Sequence, residues 1–384
     1  MNVLEKYSVH CGVKISDPVV ASAYFPLKDP KYIVIDTRNK YPSNVYELFS
    51  DVLIYLQGVF EEEGIKIYSF NADEKNILGS TQPFINLTKK QEAYLIQHSQ
   101  LVVGCDNLSL YYASAFNVPS VGLYSAYPAA CTQPLWGNSH TSIQSDWLGN
   151  LPSYGMEENP KAINFIAPEA IANTIFEKLN IGARINLETV YMGDHYPTKV
   201  VEVIPDFVAS QDFLKGNAIN LRADYHFHEE RVVHWLQDRM VNLLVDKPIN
   251  LNLLKYFKKN IAQLTVNIND SFTEEYLKQA ASVGIHLEIF CEKEEELADV
   301  RFKFFDFSVE QNIFKSKKDL GDSLNKFNKN TFFLSGKILL SEGEKYSCLE
   351  AKKQKKVLTG EPEMVYDTED FWKELDHYRL FNTL

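Results

Sequence analysis

The stretch Leu101–Ser125, LVVGCDNLSLYYASAFNVPSVGLYS, constrains the fold more than any other part of the chain. It opens on an apolar run of strand length, Leu101-Val102-Val103-Gly104, β-branched at its centre. Asp106-Asn107 is a polar break. A helical stretch follows with Leu110, Ala113, Ser114 and Phe116, and Asn117 and Pro119 stop it. Ser120–Tyr124 reads as a second buried strand. Strand, turn, helix and strand form the unit from which helix-covered parallel sheets are built. The turn lies where a strand ends and a helix begins. Free backbone N–H groups and the helix dipole favour anions at such a place.

At 384 residues the chain is long enough for two domains, each with its own core. A net charge of −12 argues against a protein whose main task is to coat nucleic-acid phosphates, while leaving room for a local basic groove. Cys11, Cys105, Cys131, Cys291 and Cys348 are scattered and show no CxxC spacing. That pattern speaks against structural zinc and fits a reducing compartment. No apolar run approaches the ~20 residues of a membrane helix. The amino-terminal MNVLEKYSVHCGVK lacks the apolar core of a signal peptide, so the expected location is the cytoplasm.

Taken in order, the sequence predicts a short helix at Val3–His10, a buried strand at Lys31–Ile35 and a polar loop at Asp36–Pro42. A helix from about Val45 to Glu62 ends at Gly64, and a strand follows at Ile65–Phe70. The loop Asn71–Ser80, the segment Phe84–Leu87 and a helix at Lys89–His98 lead into the opening strand. Beyond Ser125 the pattern predicts an irregular stretch at Ala126–Lys161, a strand at Ile163–Ile166 and a helix from Pro168 to about Leu179. Gly182–Thr198 reads as a connection. Strands are then expected at Val200–Ile204, Ala218–Leu221, Val241–Val245, Gln263–Ile268, His286–Phe290 and Arg301–Phe305. Helices are expected at Glu229–Arg239, Leu251–Lys259 and Thr273–Val283. Thr331–Leu340 and Lys345–Leu349 suggest a hairpin turning at Ser341–Glu344, and Asp367–Phe381 an amphipathic helix. Lys352–Lys356 reads as a solvated basic run.

A family resemblance appears in the opening stretch. The order Asp-(Ser/Thr)-Gly-x-x-His-x-Ala, then a small-residue helix, Pro, strand and (Phe/Tyr)-Gly, marks the nucleotide-sugar domain of bacterial heptosyltransferases. Asp106, Ala113, Pro119 and Tyr124 fall on that pattern. Asn107 stands in place of Ser or Thr, Leu108 in place of Gly, Tyr111 in place of His and Ser125 in place of the last Gly. Upstream, Lys40-Tyr41-Pro42 resembles the end of the family's HPG(A/S)…K-x-W-P loop, whose Gly-rich start is here Asp36-Thr37-Arg38. Thr88 and its helix also fit. The resemblance runs from about Lys31 to Ile181. It implies an α/β protein of two Rossmann-like domains, GT-B-like, with a nucleotide-sugar domain at 1–181, a linker at 182–199 and a second α/β domain at 200–384. The family puts its nucleotide domain second, so the chain is either a permuted version of that order or this domain joined to an unrelated second half.

What the resemblance implies for function is metal-independent hexosyl or heptosyl transfer from a nucleotide-diphosphate sugar, with no cofactor beyond that donor. Such chemistry needs charge stabilisation for the departing diphosphate, an oriented donor and a base for the acceptor hydroxyl. Lys40 and Arg38, with Thr37 as hydroxyl donor, are the candidates for the diphosphate; alternatively Lys40 is a solvated loop lysine. Asp106 and Asn107 stand beside the donor or act as a helix N-cap pair. Tyr111 keeps a hydrogen-bond donor where the family has His. Leu108 in place of Gly is expected to obstruct close approach to the backbone.

A second cluster, ADYHFHEER at 223–231, gathers Asp224, His226, His228, Glu229 and Glu230 at a strand's carboxyl end. It offers a general base for the acceptor or metal ligands, or else helix capping with an acidic first turn. The expected catalytic set is Lys40, Asp106, Asp224 and His226, with no metal. Asp194-His195 in the connecting loop is a further candidate pair. Trp136, Trp147, Tyr127 and Tyr154 either stack on a sugar or base or pin their loop. The expected partners are a nucleotide sugar and an acceptor, a saccharide before a modified nucleic acid. The rival reading is a Rossmann scaffold kept for binding or assembly without turnover.

Overall fold

Strand-length apolar runs and helical periodicities resolve into two compact units in the computed structural model, Met1–Thr189 with Leu384, and Val190–Thr383. The structure describes residues 1–71, 81–149, 151–192, 200–210, 214, 218–237, 239–291, 294–311 and 321–384. Asp194-His195 and most of the Asn71–Ser80 loop lie outside them.

The first unit begins with helix α1 (Val3–Cys11), closed at its start by a reciprocal bond pair between Asn2 and Glu5. Its sheet takes strands β1 (Tyr32–Asp36), β2 (Lys66–Phe70), β3 (Gln82–Phe84), β4 (Leu101–Cys105), β5 (Ser120–Tyr124) and β6 (His140–Gln144). All are parallel and run in the order β3-β2-β1-β4-β5-β6, the Rossmann order. Every residue of β1, β4 and β5 is buried, as strands covered on both faces require. Helices α2 (Phe49–Glu63) and α6 (Pro168–Lys178) pack together, with Phe60 edge-on to Phe176 at 6.4 Å. Helices α3 (Lys89–Gln97) and α4 (Leu108–Ala115) also pair. They bury Leu95, Ile96, Leu110 and Ala113 with Tyr32, Val34, Tyr68 and Phe70. Strand order reverses between β1 and β4, so the crevice at their carboxyl ends is the ligand position of this fold.

Three expectations fail here for local reasons. Residues 45–48 are not helical. Pro42–Asn44 forms a 3-10 turn, and α2 starts only at Phe49. The Glu47 amide bonds Asn164 Oδ1 at 3.0 Å, and the Glu47 carboxylate takes the Asn164 amide, so the segment is claimed by a neighbour. The expected strand at Ile163–Ile166 is that neighbour, a 3-10 turn at Ala162–Phe165. The edge strand is instead β6, inside the stretch read as irregular. Its five residues are all half-buried, so HTSIQ carries no inside–outside alternation to betray it.

After a short strand β7 (Leu187–Val190), the second unit lays down β8 (Val200–Val203), β9 (Ile219–Arg222), β10 (Val241–Val245), β11 (Ile261–Asn267), β12 (His286–Cys291) and β13 (Val309–Gln311) side by side. All these neighbours pair in parallel. Helices α7 (Glu229–Gln237), α8 (Leu251–Phe257) and α9 (Glu274–Ser282) pack in series and share one apolar core with Leu221, Leu243, Leu264 and Ile289. Alternate strand positions, Asn220, Asn242, Gln263 and Thr265, are polar, and Asn242 Nδ2 donates to Asn220 Oδ1 at 3.0 Å. One sheet face is therefore apolar and helix-covered, and the other carries side-chain hydrogen bonds.

The Arg301–Phe305 strand is overturned. Helix α10 (Glu294–Lys303) runs through it, with Phe304 N bonded to Val300 O at 2.9 Å. Of its three phenylalanines only Phe304 is buried, a helical spacing that the aromatic run concealed.

The hairpin turns where expected, but its first arm, expected at Thr331–Leu340, is divided at Gly336, and its second ends at Tyr346. Strand β14 (Thr331–Ser335) is followed by β15 (Lys337–Ser341), which turns through Glu342 and Gly343, both at positive φ, into β16 (Glu344–Tyr346). β15 also pairs in parallel with β8. After helix α11 (Leu349–Lys353) and strand β17 (Glu363–Met364), the predicted helix at Asp367–Phe381 is only α12 (Glu369–Lys373) and a 3-10 turn. The chain then becomes strand β18 (Tyr378–Thr383), antiparallel to β14. Tyr378 stacks on Phe371 at 4.8 Å, and the aromatic cluster around Phe333 overrides the amphipathic pattern.

Candidate functional site

The loops that follow β1 and β4 face each other because those strands are neighbours, and two asparagines clasp them together. Asn39 Nδ2 donates to the carbonyl oxygens of Cys105 at 2.6 Å and Asp106 at 3.3 Å. Asn107 Nδ2 returns the contact to the carbonyls of Asp36 at 3.0 Å and Arg38 at 3.3 Å. Beside this clasp opens a cavity of about 810 Å³. Arg38, Lys40, Asp106, Asn107, Leu108 and Lys6 are among its walls. Asn39 and Lys6 were missed by sequence reasoning. The signal for Asn39 is a polar side chain in the loop directly after a fully buried strand. Nothing in the sequence places Lys6 of α1 at the site, because that depends on Asn2 Nδ2 bonding the Gln133 carbonyl at 2.8 Å.

The cations differ in what they have left to offer. Arg38 is committed. It forms a fork on Asp36 at 2.8 and 2.9 Å and reaches Glu92 at 2.6 Å. Lys89 is likewise paired with Glu92 at 2.9 Å. Lys40 is exposed, its Nζ 5.6 Å from the Tyr41 ring centroid, and neither it nor Lys6 has a carboxylate partner among the described residues. The N-terminus of α4 has no side-chain cap: Asn107 turns its Nδ2 to the clasp, and its Oδ1, the atom that would accept from the helix, bonds no N–H among the described residues. The N-cap alternative for Asn107 is thus replaced by a loop-joining role.

Asp106 sits in the left-handed region at φ 43°, an uncommon setting for a residue other than glycine. Burial raises its carboxyl above the usual carboxylate range, and a 3.0 Å bond from Thr132 Oγ1 partly opposes this. Thr37 and Tyr111 are turned elsewhere. The Thr37 hydroxyl donates to the Phe70 carbonyl at 3.3 Å. The Tyr111 hydroxyl donates to the Thr132 carbonyl, pinning helix α5 (Ala129–Thr132), and burial followed by the Asp106 charge pushes the phenol up to about 12. Leu108 stands at the rim, 47% exposed, and the cavity stays open beside it. Of the loop aromatics, Tyr127 lines the cavity, whereas Trp136 and Trp147 donate to the Ser16 and Ser125 carbonyls and fasten their loop.

Asp224 and His226 belong to the second unit. The Asp224 carboxylate receives Arg222 at 2.7 and 2.9 Å and Asn267 Nδ2 at 3.2 Å, so the base expected there is held in an ion pair. His226 is exposed, and Glu229 and Glu230 occupy the first turn of α7. Among the described residues no group of three or more His, Cys, Asp or Glu is arranged to hold a metal.

Fold and site together define an α/β protein whose first unit is a Rossmann-type sheet with a lysine-edged cavity at its switch point. No protein-family model matches the chain, and no curated protein matches it either. Solved structures that it resembles include an E. coli heptosyltransferase, WaaC, with ADP, at 14% identity over 45% of this chain and 54% of that one, TM-score 0.31. A family 9 glycosyl transferase from Veillonella parvula shares 16% identity over 46% and 50% of the chains, TM-score 0.33. The E. coli iron-containing dodecameric heptosyltransferase TibC, in complex with ADP-D-beta-D-heptose, shares 14% over 44% and 50%, TM-score 0.34. The chain spans about half the length of these structures.

Proposed function

We propose that the first unit binds a nucleotide-diphosphate sugar and that the protein transfers its sugar to an acceptor hydroxyl. One observation carries this reading: the open cavity at the switch point holds two lysines without carboxylate partners among the described residues, beside a helix N-terminus without a side-chain cap. The diphosphate rests against Lys40, Lys6 and the first N–H groups of α4, which stabilise the charge that grows as the bond from anomeric carbon to phosphate oxygen breaks. The acceptor oxygen attacks that carbon, its proton passes to Asp106, and the diphosphate departs with the electron pair. A carboxyl raised by burial is the better base for that step.

The test is a thermal-shift panel of nucleoside diphosphates and their sugars, followed by an assay of nucleoside diphosphate release. One nucleotide at ~100 times its Kd should stabilise the protein by ~2.7 kcal/mol. A flat panel removes the reading. Binding without turnover selects a non-catalytic Rossmann scaffold, the reading favoured by Arg38, whose guanidinium is already neutralised by Asp36 and Glu92.

A further inference from the structure

The 3-10 turn after the β1 loop, Pro42–Asn44, puts a carboxamide on the wall of the first cavity. Its backbone is firmly placed. The Asn44 N–H bonds the Tyr41 carbonyl at 3.0 Å. Ser43 beside it bonds the Met156 carbonyl at 3.1 Å through its own N–H and the Gly155 carbonyl at 2.9 Å through its hydroxyl. Asn44 is only 4% exposed, yet its side chain makes no hydrogen bond among the described residues. Buried side-chain amides are almost always satisfied. On the same wall the Nδ2 groups of Asn39 and Asn107 are both spent on the clasp. The Asn44 amide atoms are not sealed off from solvent either, so the cavity is what they can reach. A donor and an acceptor held side by side there ask for a partner from outside the chain.

A second observation bears on the shape of that partner. Met1, Val3 and Leu108 are large apolar side chains left exposed, and all three lie on this cavity's wall together with Tyr127. One exposed apolar side chain needs no explanation, but several gathered at one cavity mark a ligand with apolar faces. The wall is thus cationic at Lys6 and Lys40, apolar at its rim and amide at Asn44. In a nucleotide-diphosphate sugar the diphosphate answers the lysines, and the sugar is ringed by hydroxyls. The nucleobase combines two apolar faces with an edge on which donor and acceptor stand together. A carboxamide pairs with such an edge through both of its polar atoms.

We propose that Asn44 reads the nucleobase: its Nδ2 and Oδ1 bond the base edge, and the apolar rim covers the faces of the base. The assignment rests on the nucleotide reading of the cavity and adds to it the point at which one base is told from another. The volume of about 810 Å³ has room for base, diphosphate and sugar together.

Isothermal titration of the full chain with ADP, UDP, GDP and inorganic pyrophosphate tests this. One nucleoside diphosphate should bind at least ~10-fold tighter than pyrophosphate, and Asn44→Ala should weaken it ~10-fold while pyrophosphate stays within ~2-fold. Should Asn44→Ala fail to fold, as checked by circular dichroism, Asn44→Ser and Leu108→Ala at the exposed rim carry the same split between nucleotide and pyrophosphate. The assignment is overturned when the folded variants bind the nucleotide as the wild type does, or when they weaken pyrophosphate equally. It is also overturned when all three nucleotides bind no tighter than pyrophosphate, a result that leaves the anion site standing. No binding by any of the four ends the nucleotide reading, and this assignment with it.

Discussion

Lys40 and Arg38 stand two positions apart on one loop and are left with different capacities. Arg38 is spent on Asp36 and Glu92, while the exposed Lys40 lies over the Tyr41 ring and has no carboxylate partner among the described residues. Lys40→Ala should therefore leave stability within ~0.5 kcal/mol of wild type. It should weaken nucleoside diphosphate binding ~10-fold, or ~1.4 kcal/mol, read by calorimetry. An unchanged affinity would remove Lys40 from the site. His140 of β6 behaves differently. Burial first, and the Lys178 charge second, hold its imidazole down to about 4, from an ordinary 6.5. The fold keeps it neutral between Ser120 Oγ at 2.9 Å and Tyr124 Oη at 3.1 Å. The unfolded chain takes up its proton near pH 6.5, before the folded chain does, so this contribution is full above that pH and is lost as pH falls toward about 4. Urea titrations across that window should show a steeper loss for wild type than for His140→Gln; parallel curves would contradict the assignment.

Among the elements, the β4–α4 turn leaves no room for a side chain at Gly104. A Cβ at Gly104 would lie 2.6 Å from Asn107 Oδ1 and 3.0 Å from Nδ2, the atom that holds the β1 loop. Gly104→Ala should cost ~1–3 kcal/mol by urea unfolding and lower nucleotide affinity with it, because the clasp and the cavity share Asn107. Normal stability with normal affinity would show that the clasp yields freely. This turn was also the most legible part of the chain, since β-branched runs, Asp-Asn and Asn-x-Pro all signal locally. Other elements hid for stated reasons. β6 is an edge strand without alternation, and β18 earns its place by pairing with β14 far away in sequence. The candidate site was half legible. Lys40, Arg38, Asp106 and Asn107 could be named from the chain, but whether a cation was free or neutralised depends on Glu92, 54 positions beyond Arg38, which no local pattern reports.

For the molecule as a whole, charge decides one question. With 51 acidic against 39 basic residues the net charge disfavours polyanions, and the two lysines of the first cavity without carboxylate partners among the described residues are too few to reverse that. Fluorescence anisotropy should detect no binding to single- or double-stranded DNA or RNA tighter than ~100 µM at physiological salt. A salt-steep affinity well below that figure would revive a nucleic-acid acceptor.

The second sheet adds strands in strict succession from β8 to β13, whereas the first doubles back between β1 and β4. The run from β8 to β13 is a staircase whose outer step, the edge strand β13, can vary in evolution without rethreading the strands before it, while β15 returns to pair with β8 at the other end. The first sheet has no such freedom, because removing either strand beside its reversal abolishes the crevice itself. Variation among descendants of this chain should accordingly gather at the outer margin of the staircase and spare the reversal between β1 and β4.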